Sequence, residues 1–499
     1  MLSVSGCRGV VGETLTPGVV ARFAGAYASF LREHAGGERV SVVLGRDGRR
    51  GCEVVHNAAV AGLLAAGCDV TDLGVAMTPS VAVATDAQAR ESCRPTAGMV
   101  LTASHNPQQW NGLKCLLADS GAGGLHGAMA CAPPAALAGK VIERFSTDAV
   151  TLERWDKVGV LSRREDATEV HVERVQDALI RSGVASLPST IGHGLRAAVD
   201  CVNASASRTA PVLLRSLGCE EVVALNCEAN GEGAGLFPHA PEPTQENLSG
   251  QGGLCDAVRE RRCDVGFALD PDADRLALID EHGMYVGEEY TLALSAMAIL
   301  EAHKRHGCSG GEQLVLVTNL STSRMLTDVA ARYGARVLRT PVGEANVVEV
   351  MKRERAIAGG EGNGGTIWPR SCYVRDSLAA MGLVLWLMSP SGGGKRRTLS
   401  ELVASIPAYA IQKRKVDLAR KEDAATAVEK VTREFTRQGH HVDTSDGAWV
   451  DFRAGTLAGR AWLHVRASNT EPIMRLIAEA PTRAMADGVL DEAGRVIAG

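Results

Sequence analysis

Aromatic residues make up only 4% of this 499-residue chain. Basic charge is not in excess either: 53 Lys and Arg stand against 58 Asp and Glu, a formal net charge of −5. That balance argues against nucleic acid as a partner, because proteins that bind it carry a basic face. Two short basic runs, His303-Lys304-Arg305-His306 and Lys413-Arg414-Lys415, read as solvated helix ends or loops. The 13 cysteines include no Cys-x-x-Cys pair and lack the density of a disulfide scaffold. They read as reduced, mostly buried thiols in a cytoplasmic setting. Met1 to Gly12 contains no apolar stretch of signal-peptide type. Long hydrophobic runs are missing too. The longest, Leu378 to Met388, is too short to span a bilayer, so no membrane partner is expected.

What is present is glycine, 55 residues of it, with an ordinary 45% of hydrophobic residues. Single cores stop growing near about 250–300 residues, so the chain is expected to hold three or four domains. Strand-like runs alternate with helix-like ones. Ser41 to Leu44 runs into Gly45-Arg46-Asp47-Gly48-Arg49, and Val54 to Ala66 follows with apolar residues at helical spacing. Ala97 to Thr102, Arg196 to Asp200, Gly266 to Leu269 and Leu314 to Val317 repeat the strand-to-turn theme. Such alternation predicts an α/β fold with mixed or parallel sheets, the first three parts being variations on one unit. Asp166 to Ile180 reads as a helix opening a second domain. Ser389 to Gly394 breaks the pattern and marks a boundary, beyond which residues 399–499 form a smaller α+β unit. Lys395 after these glycines does not complete a phosphate-binding P-loop, because Ser389 and Arg396 stand where Gly and Ser or Thr are required.

Four loops carry chemistry. In the first, Ser104 follows a buried strand and precedes His105-Asn106-Pro107, and Pro107 keeps Asn106 out of helix. Ser104 is either a nucleophile, helped by a cation and by Lys114 with His105 as second candidate, or a turn serine bonding its own backbone. In the second, Asp270, Asp272 and Asp274 alternate so that their carboxylates converge on one ion. Oxygen ligands suit Mg²⁺. A calcium loop is disfavoured, because Arg275 stands where the sharp turn needs glycine and the flanks read as strands. In the third, Gly359 to Gly365, Glu361 is placed to accept from sugar hydroxyls, or the segment is a long turn between strand and helix; Arg375 adds a cation nearby. In the fourth, Arg466 to Pro472 with Arg475 is either a phosphate cradle of guanidiniums, hydroxyls and turn amides, or a polar hairpin whose arginines pair with acids.

Together these stretches resemble the α-D-phosphohexomutase family, which includes phosphoglucomutase, phosphomannomutase and phosphoglucosamine mutase. Thr102-Ala103-Ser104-His105-Asn106-Pro107 is similar to its phosphoserine loop and Asp270-Pro271-Asp272-Ala273-Asp274-Arg275 to its metal loop. Gly360-Glu361 opens the sugar-recognition loop, and Arg466 to Arg475 resembles the phosphate-binding loop. Arg8-Gly9-Val10-Val11-Gly12, Gly45-Arg46-Asp47, Thr78-Pro79 and Thr340-Pro341-Val342-Gly343-Glu344 add matches in family order.

The resemblance implies four domains around a central cleft, three similar mixed α/β sheet domains and a smaller C-terminal α+β domain. The expected bounds are 1–163, 164–281, 282–392 and 393–499. It implies phosphoryl transfer between O1 and O6 of a hexose phosphate through phosphorylated Ser104 and a bisphosphate intermediate. Arg8 would lie near the reacting phosphate. Mg²⁺ would sit on Ser104, Asp270, Asp272 and Asp274. Arg275, Glu361, Asn363, Arg375, Arg466, Ser468, Asn469, Thr470 and Arg475 would contact substrate. One departure stands out. Many bacterial members carry Glu-x-Ser-x-His in the sugar loop, whereas Asn363 and Gly365 occupy the last two named positions here. That leaves Lys114 as the proton-transfer candidate and gives a lean toward glucosamine phosphate. The partner is a hexose phosphate, the assembly a monomer or homodimer. A serine- and metal-dependent sugar phosphatase and a non-catalytic sugar-phosphate-binding protein are the other readings.

Overall fold

The computed structural model describes residues 2–3, 6–92, 94–118, 129–306, 314–390, 394–418, 420, 422–467 and 473–498. Three sheets are built on one plan. The first holds β1 (Leu2–Ser3), β2 (Gly6–Val10), β3 (Ser41–Arg46), β4 (Asp69–Val75), β5 (Thr96–Leu101), β6 (Trp110–Ala118), β7 (Ala130–Cys131) and β8 (Leu161–Arg163). Its heart is the order β4-β3-β5-β6, with β4, β3 and β5 parallel and β6 antiparallel. The second sheet repeats that order with β9 (Arg196–Asp200), β10 (Glu221–Leu225), β11 (Val265–Leu269) and β12 (Leu276–Ile279), arranged β10-β9-β11-β12. The third does so again with β13 (Val315–Asn319), β14 (Arg336–Thr340), β15 (Ala358–Glu361) and β16 (Gly365–Ile367), arranged β14-β13-β15-β16. In both, the first three strands are parallel and the fourth is antiparallel.

This plan decides where chemistry can sit. The serine loop joins β5 to β6, the acidic loop joins β11 to β12, and the glycine loop joins β15 to β16. All three occupy one topological position, the turn from the last parallel strand into the antiparallel edge. The parallel strands are apolar and buried: β5, β11 and β13 have no exposed residue. Their rigidity fixes where each turn begins.

The fourth sheet is antiparallel throughout: β17 (Ala410–Asp417), β18 (His441–Asp443), β19 (Ala448–Asp451), β20 (Trp462–Ala467) and β21 (Ile473–Ala480), in the order β17-β21-β20-β19-β18. Helices Asp423–Arg437 and Arg483–Ala498 pack on it around Phe435, Leu463, Leu476 and Leu490. The apolar run at 378–388 is a helix, Ser377–Met388, with every residue buried. A helix apolar on all sides belongs inside, and it joins Phe267, Trp368 and Trp386 in one core shared by the second and third sheets. Among the described residues no helix is long and apolar enough to cross a membrane.

Two local readings differ from the structure. Lys413-Arg414-Lys415 lies in β17, not in a helix end or loop. The glycine loop is a tight β-hairpin in which Glu361 pairs with Gly365, not a long turn into a helix. Period-two alternation was present in the first run but masked by its charge, and glycine hides strand character in the second. His303 to His306 does end a helix, Glu288–His306.

Candidate active site

The serine loop is held open by a buried ion pair. Asp47 and Arg49 leave the end of β3 and are essentially inaccessible. Arg49 Nε donates to Asp47 Oδ2 at 2.9 Å. Its other nitrogens donate to the carbonyls of Ser104 at 2.6 Å and Trp110 at 2.7 Å, with those of Asn106 and Pro107 at 3.3 and 3.4 Å. Thr102 Oγ1 donates to Asp47 Oδ2 at 2.7 Å and accepts from Ser104 N at 2.8 Å. Ser104 itself has φ +51°, the left-handed region that a non-glycine residue adopts only under constraint. That turn directs its hydroxyl to the second sheet: Ser104 Oγ donates to Asp270 Oδ2 at 2.8 Å.

Asp270, Asp272 and Asp274 are buried, and one oxygen of each lies within 4.8 Å of the others. Neighbours from three sheets fix the loop. Thr78 donates to Asp272 Oδ2 at 2.7 Å, Ser205 to the Pro271 carbonyl at 2.6 Å and Ser377 to the Ala273 carbonyl at 2.8 Å. Burial, with repulsion from Asp272 and Asp274, lifts the Asp270 carboxyl well above the usual range. Burial works the same way on Asp274, but Arg375, Lys114 and Arg275 outweigh it and hold that group below the usual range. Asp272 Oδ1 and Asp274 Oδ1 are buried and accept no hydrogen bond. Leaving such acceptors bare is costly, and hard oxygen donors this close together fit a hard divalent cation such as Mg²⁺.

Cations ring the triad. Lys114, on β6, is buried, with Nζ 2.8 Å from Asp274 Oδ2, 3.7 Å from Asp272 and 3.8 Å from Glu344. Burial opposes its charge, yet Asp274, Glu344 and Asp272 outweigh burial and keep the amine protonated. Arg8 faces Gly112 across the β2–β6 ladder and feels the charges of Asp272, Asp274, Arg275 and Arg375. Arg275 donates its backbone N–H to Asp270 Oδ1 at 3.1 Å, and its side chain lies 3.5 Å from Glu242. His105 Nδ1 is 3.3 Å from Ser104 Oγ. Burial, then Arg275 and Arg8, push that imidazole down to about 3, so it is neutral at physiological pH.

The sugar hairpin closes on the same cluster. Glu361 accepts from Asn319 at 2.8 Å and from Arg375 at 2.8 Å, and Arg375 also reaches Asn363 Oδ1 at 3.3 Å. Arg375 Nη2 pairs with Asp274, and Arg375 Nε lies 3.1 Å from Glu344. Gly365 is bare for a reason: a Cβ there would fall 2.1 Å from Arg375 Cδ.

In the fourth sheet Arg466 and Arg475 stand directly opposite each other, and Lys415 stands opposite Arg475 on its other side. Opposed residues point to one face, so three cations form a row across β17, β21 and β20. Like charges in register are unfavourable without an anion. Ser468, Asn469 and Thr470 lie outside the described residues.

The structure therefore brings Ser104, His105, Lys114, Arg8, the three aspartates, Arg275, Glu361, Asn363 and Arg375 into one connected network, while Arg466 and Arg475 stand together on the fourth sheet. Sequence reasoning missed Arg49, Glu344 and Lys415. For Lys415 a signal existed, the exposed alternation of Lys413 and Lys415 in β17. For the other two the partners are remote in sequence and no local pattern announces them.

Four family models cover most of the chain. They describe phosphoglucomutase/phosphomannomutase alpha/beta/alpha domains I, II and III at residues 2–124, 173–283 and 288–409, and the C-terminal domain at 414–495. A phosphoglucomutase/phosphomannomutase from Thermococcus kodakarensis is 34% identical over 97% of this chain and 96% of that protein. The chain belongs to the α-D-phosphohexomutase family. A second relative of this phosphohexomutase, named "Probable phosphoglucosamine mutase", from Methanopyrus kandleri, is 35% identical over 98% of this chain and 95% of that protein. The fold matches a crystal structure of a phosphoglucomutase/phosphomannomutase family protein from Burkholderia thailandensis, with a TM-score of 0.76 at 24% identity, covering 100% of this chain and 98% of that one. It also matches a phosphomannomutase structure from Thermus thermophilus, with a TM-score of 0.73 at 23% identity over 100% and 99%. The four-domain α/β architecture expected from the sequence is the one present.

Proposed function

We propose that the chain interconverts hexose 6-phosphate and hexose 1-phosphate, with phosphorylated Ser104 as donor and a hexose bisphosphate as intermediate. One observation carries the reading: the Ser104 hydroxyl lies 2.8 Å from a carboxylate of the triad. In each half-reaction the sugar oxygen forms a bond to phosphorus while the Ser104 Oγ–phosphorus bond breaks, or the reverse. The attacking hydroxyl loses one proton and the departing oxygen gains one. Lys114, held protonated, is able to give the second and recover the first. Neutral His105 is a weak base beside Ser104 and orients it. Asp270, Asp272 and Asp274 with the Ser104 side chain would hold Mg²⁺, which supplies Lewis-acid stabilisation of phosphoryl oxygens when bound.

Arg8 and Arg275 offset the charge of the reacting phosphate, Glu361 and Asn363 face the sugar, and Arg466, Arg475 and the 468–470 segment hold the other phosphate. Positioning and charge neutralisation are what phosphoryl transfer needs. The lean to glucosamine phosphate draws support from the Methanopyrus kandleri relative's name, and the Thermococcus kodakarensis relative's name supports glucose and mannose phosphates as the alternative. The test is a coupled assay on all three sugar phosphates with native chain and Ser104→Ala. Turnover that survives the substitution rejects the role of Ser104. Release of inorganic phosphate without isomerised sugar would make the protein a phosphatase.

A further inference from the structure

Arg375 has an unusual setting for a residue expected to touch substrate. Its backbone is pinned. Asp376, the next residue, accepts from Leu378 N at 3.0 Å, Ala379 N at 3.2 Å and Ser371 Oγ at 2.6 Å, and its own N–H donates to Thr366 O at 2.8 Å. The Arg375 side chain then crosses the face of Gly365, with Cδ, Cγ and Nε where a Cβ and its neighbours would go. At the far end four acceptors of the protein surround the guanidinium: Glu361 and Asn363 of the sugar hairpin, Asp274 of the acidic loop and Glu344. The backbones of the two loops also meet, Leu276 N donating to Gly364 O at 3.1 Å.

We propose that Arg375 is a positioning residue: one guanidinium sets Glu361 of the sugar hairpin and Asp274 of the acidic loop relative to each other, and glycine at 365 is what gives it passage. The inference rests on the sugar-phosphate reading above and deepens it. Arg375 acts on the sugar through Glu361, and on the metal site through Asp274. The histidine many bacterial relatives carry at this hairpin position is excluded by the course of this arginine. A single fork-shaped cation can bridge two carboxylates in fixed geometry, which an ammonium cannot.

The experiment is calorimetric titration of glucose 6-phosphate, without metal, into native chain, Arg375→Gln, Glu361→Gln and the double variant. Each single change is expected to weaken binding about tenfold. The double variant should bind within about twofold of Glu361→Gln alone, because the two residues act as one unit. Full multiplication of the two losses, or no loss in Arg375→Gln, overturns the proposal. Gly365→Ala pushes Arg375 aside without removing it and should give the same loss and the same non-additivity, which keeps the test available if Arg375→Gln does not fold. A parallel Mg²⁺ titration should show tighter binding in Arg375→Gln, where a competing cation has left Asp274, and no change in Glu361→Gln. Recovery of native Mg²⁺ affinity but not sugar affinity is expected in Arg375→Lys. A native chain that binds no glucose 6-phosphate would end the sugar-phosphate reading, and the Mg²⁺ titration then decides the tie by itself, unchanged affinity in Arg375→Gln rejecting it.

Discussion

Replacing Arg49 by methionine tests the support of the serine loop. The change keeps side-chain bulk and removes the charge. Asp47 and Arg49 are both inaccessible, and removing one partner of a buried pair costs about 3–5 kcal/mol because the other charge is left uncompensated. The Ser104 and Trp110 carbonyls lose their shortest donors as well. At about 2–4 °C per kcal/mol for a domain of this size, the transition of the first domain should fall by about 6–20 °C. pH adds a second signature. Burial already lifts the Asp47 carboxyl above its usual range against the pull of Arg49 and Thr102. Without Arg49 it rises further. A carboxyl raised in the folded state binds more protons there than when unfolded, so stability falls as pH climbs through the raised value. The methionine variant should therefore lose less at pH 5 than at pH 8, and adding Asp47→Asn should recover part of the loss at pH 8. Thermal unfolding followed by circular dichroism measures all three. A fall under about 2 °C, or one equal at both pH values, would refute the account, since a change of about 1 kcal/mol or less is typical of an exposed site.

Mg²⁺ should raise the melting temperature of the native chain in differential scanning fluorimetry, and Asp272→Asn should abolish that rise and the activity together. Lys415→Ala should raise KM for hexose phosphate several-fold with a smaller change in kcat, measured in the coupled assay at two ionic strengths. Asp86, buried beside the Ala130 N–H, is lifted to about 6 chiefly by burial. Its contribution to stability therefore declines as pH rises from about 4 to about 6, and Asp86→Asn should melt higher than native at pH 7.5 but not at pH 4.

The sequence shows the parts of this site that are local. Strand followed by polar turn is legible at Thr96 to Ser104 and at Val265 to Asp274 because the apolar run and the turn residues are contiguous. Alternating aspartates announce a cation site because a loop places every second side chain together. What joins the parts is not local. Arg49 meets Ser104 across 55 positions, Ser104 meets Asp270 across 166, and Arg375 meets Asp274 across 101. Only the packing of three sheets on a common plan creates those contacts. The glycines of the third hairpin read as flexibility in the sequence, whereas Gly365 is bare because an arginine stem lies against it.

The left-handed backbone at position 104 restricts what the hydroxyl-bearing residue can be. A branched Cβ is poorly tolerated in that conformation, so threonine, chemically an equal acceptor and donor of phosphate, is shut out by shape. A kinase or phosphatase site on a mobile loop can exchange the two amino acids freely. Here the geometry that aims the oxygen also ties the lineage to serine.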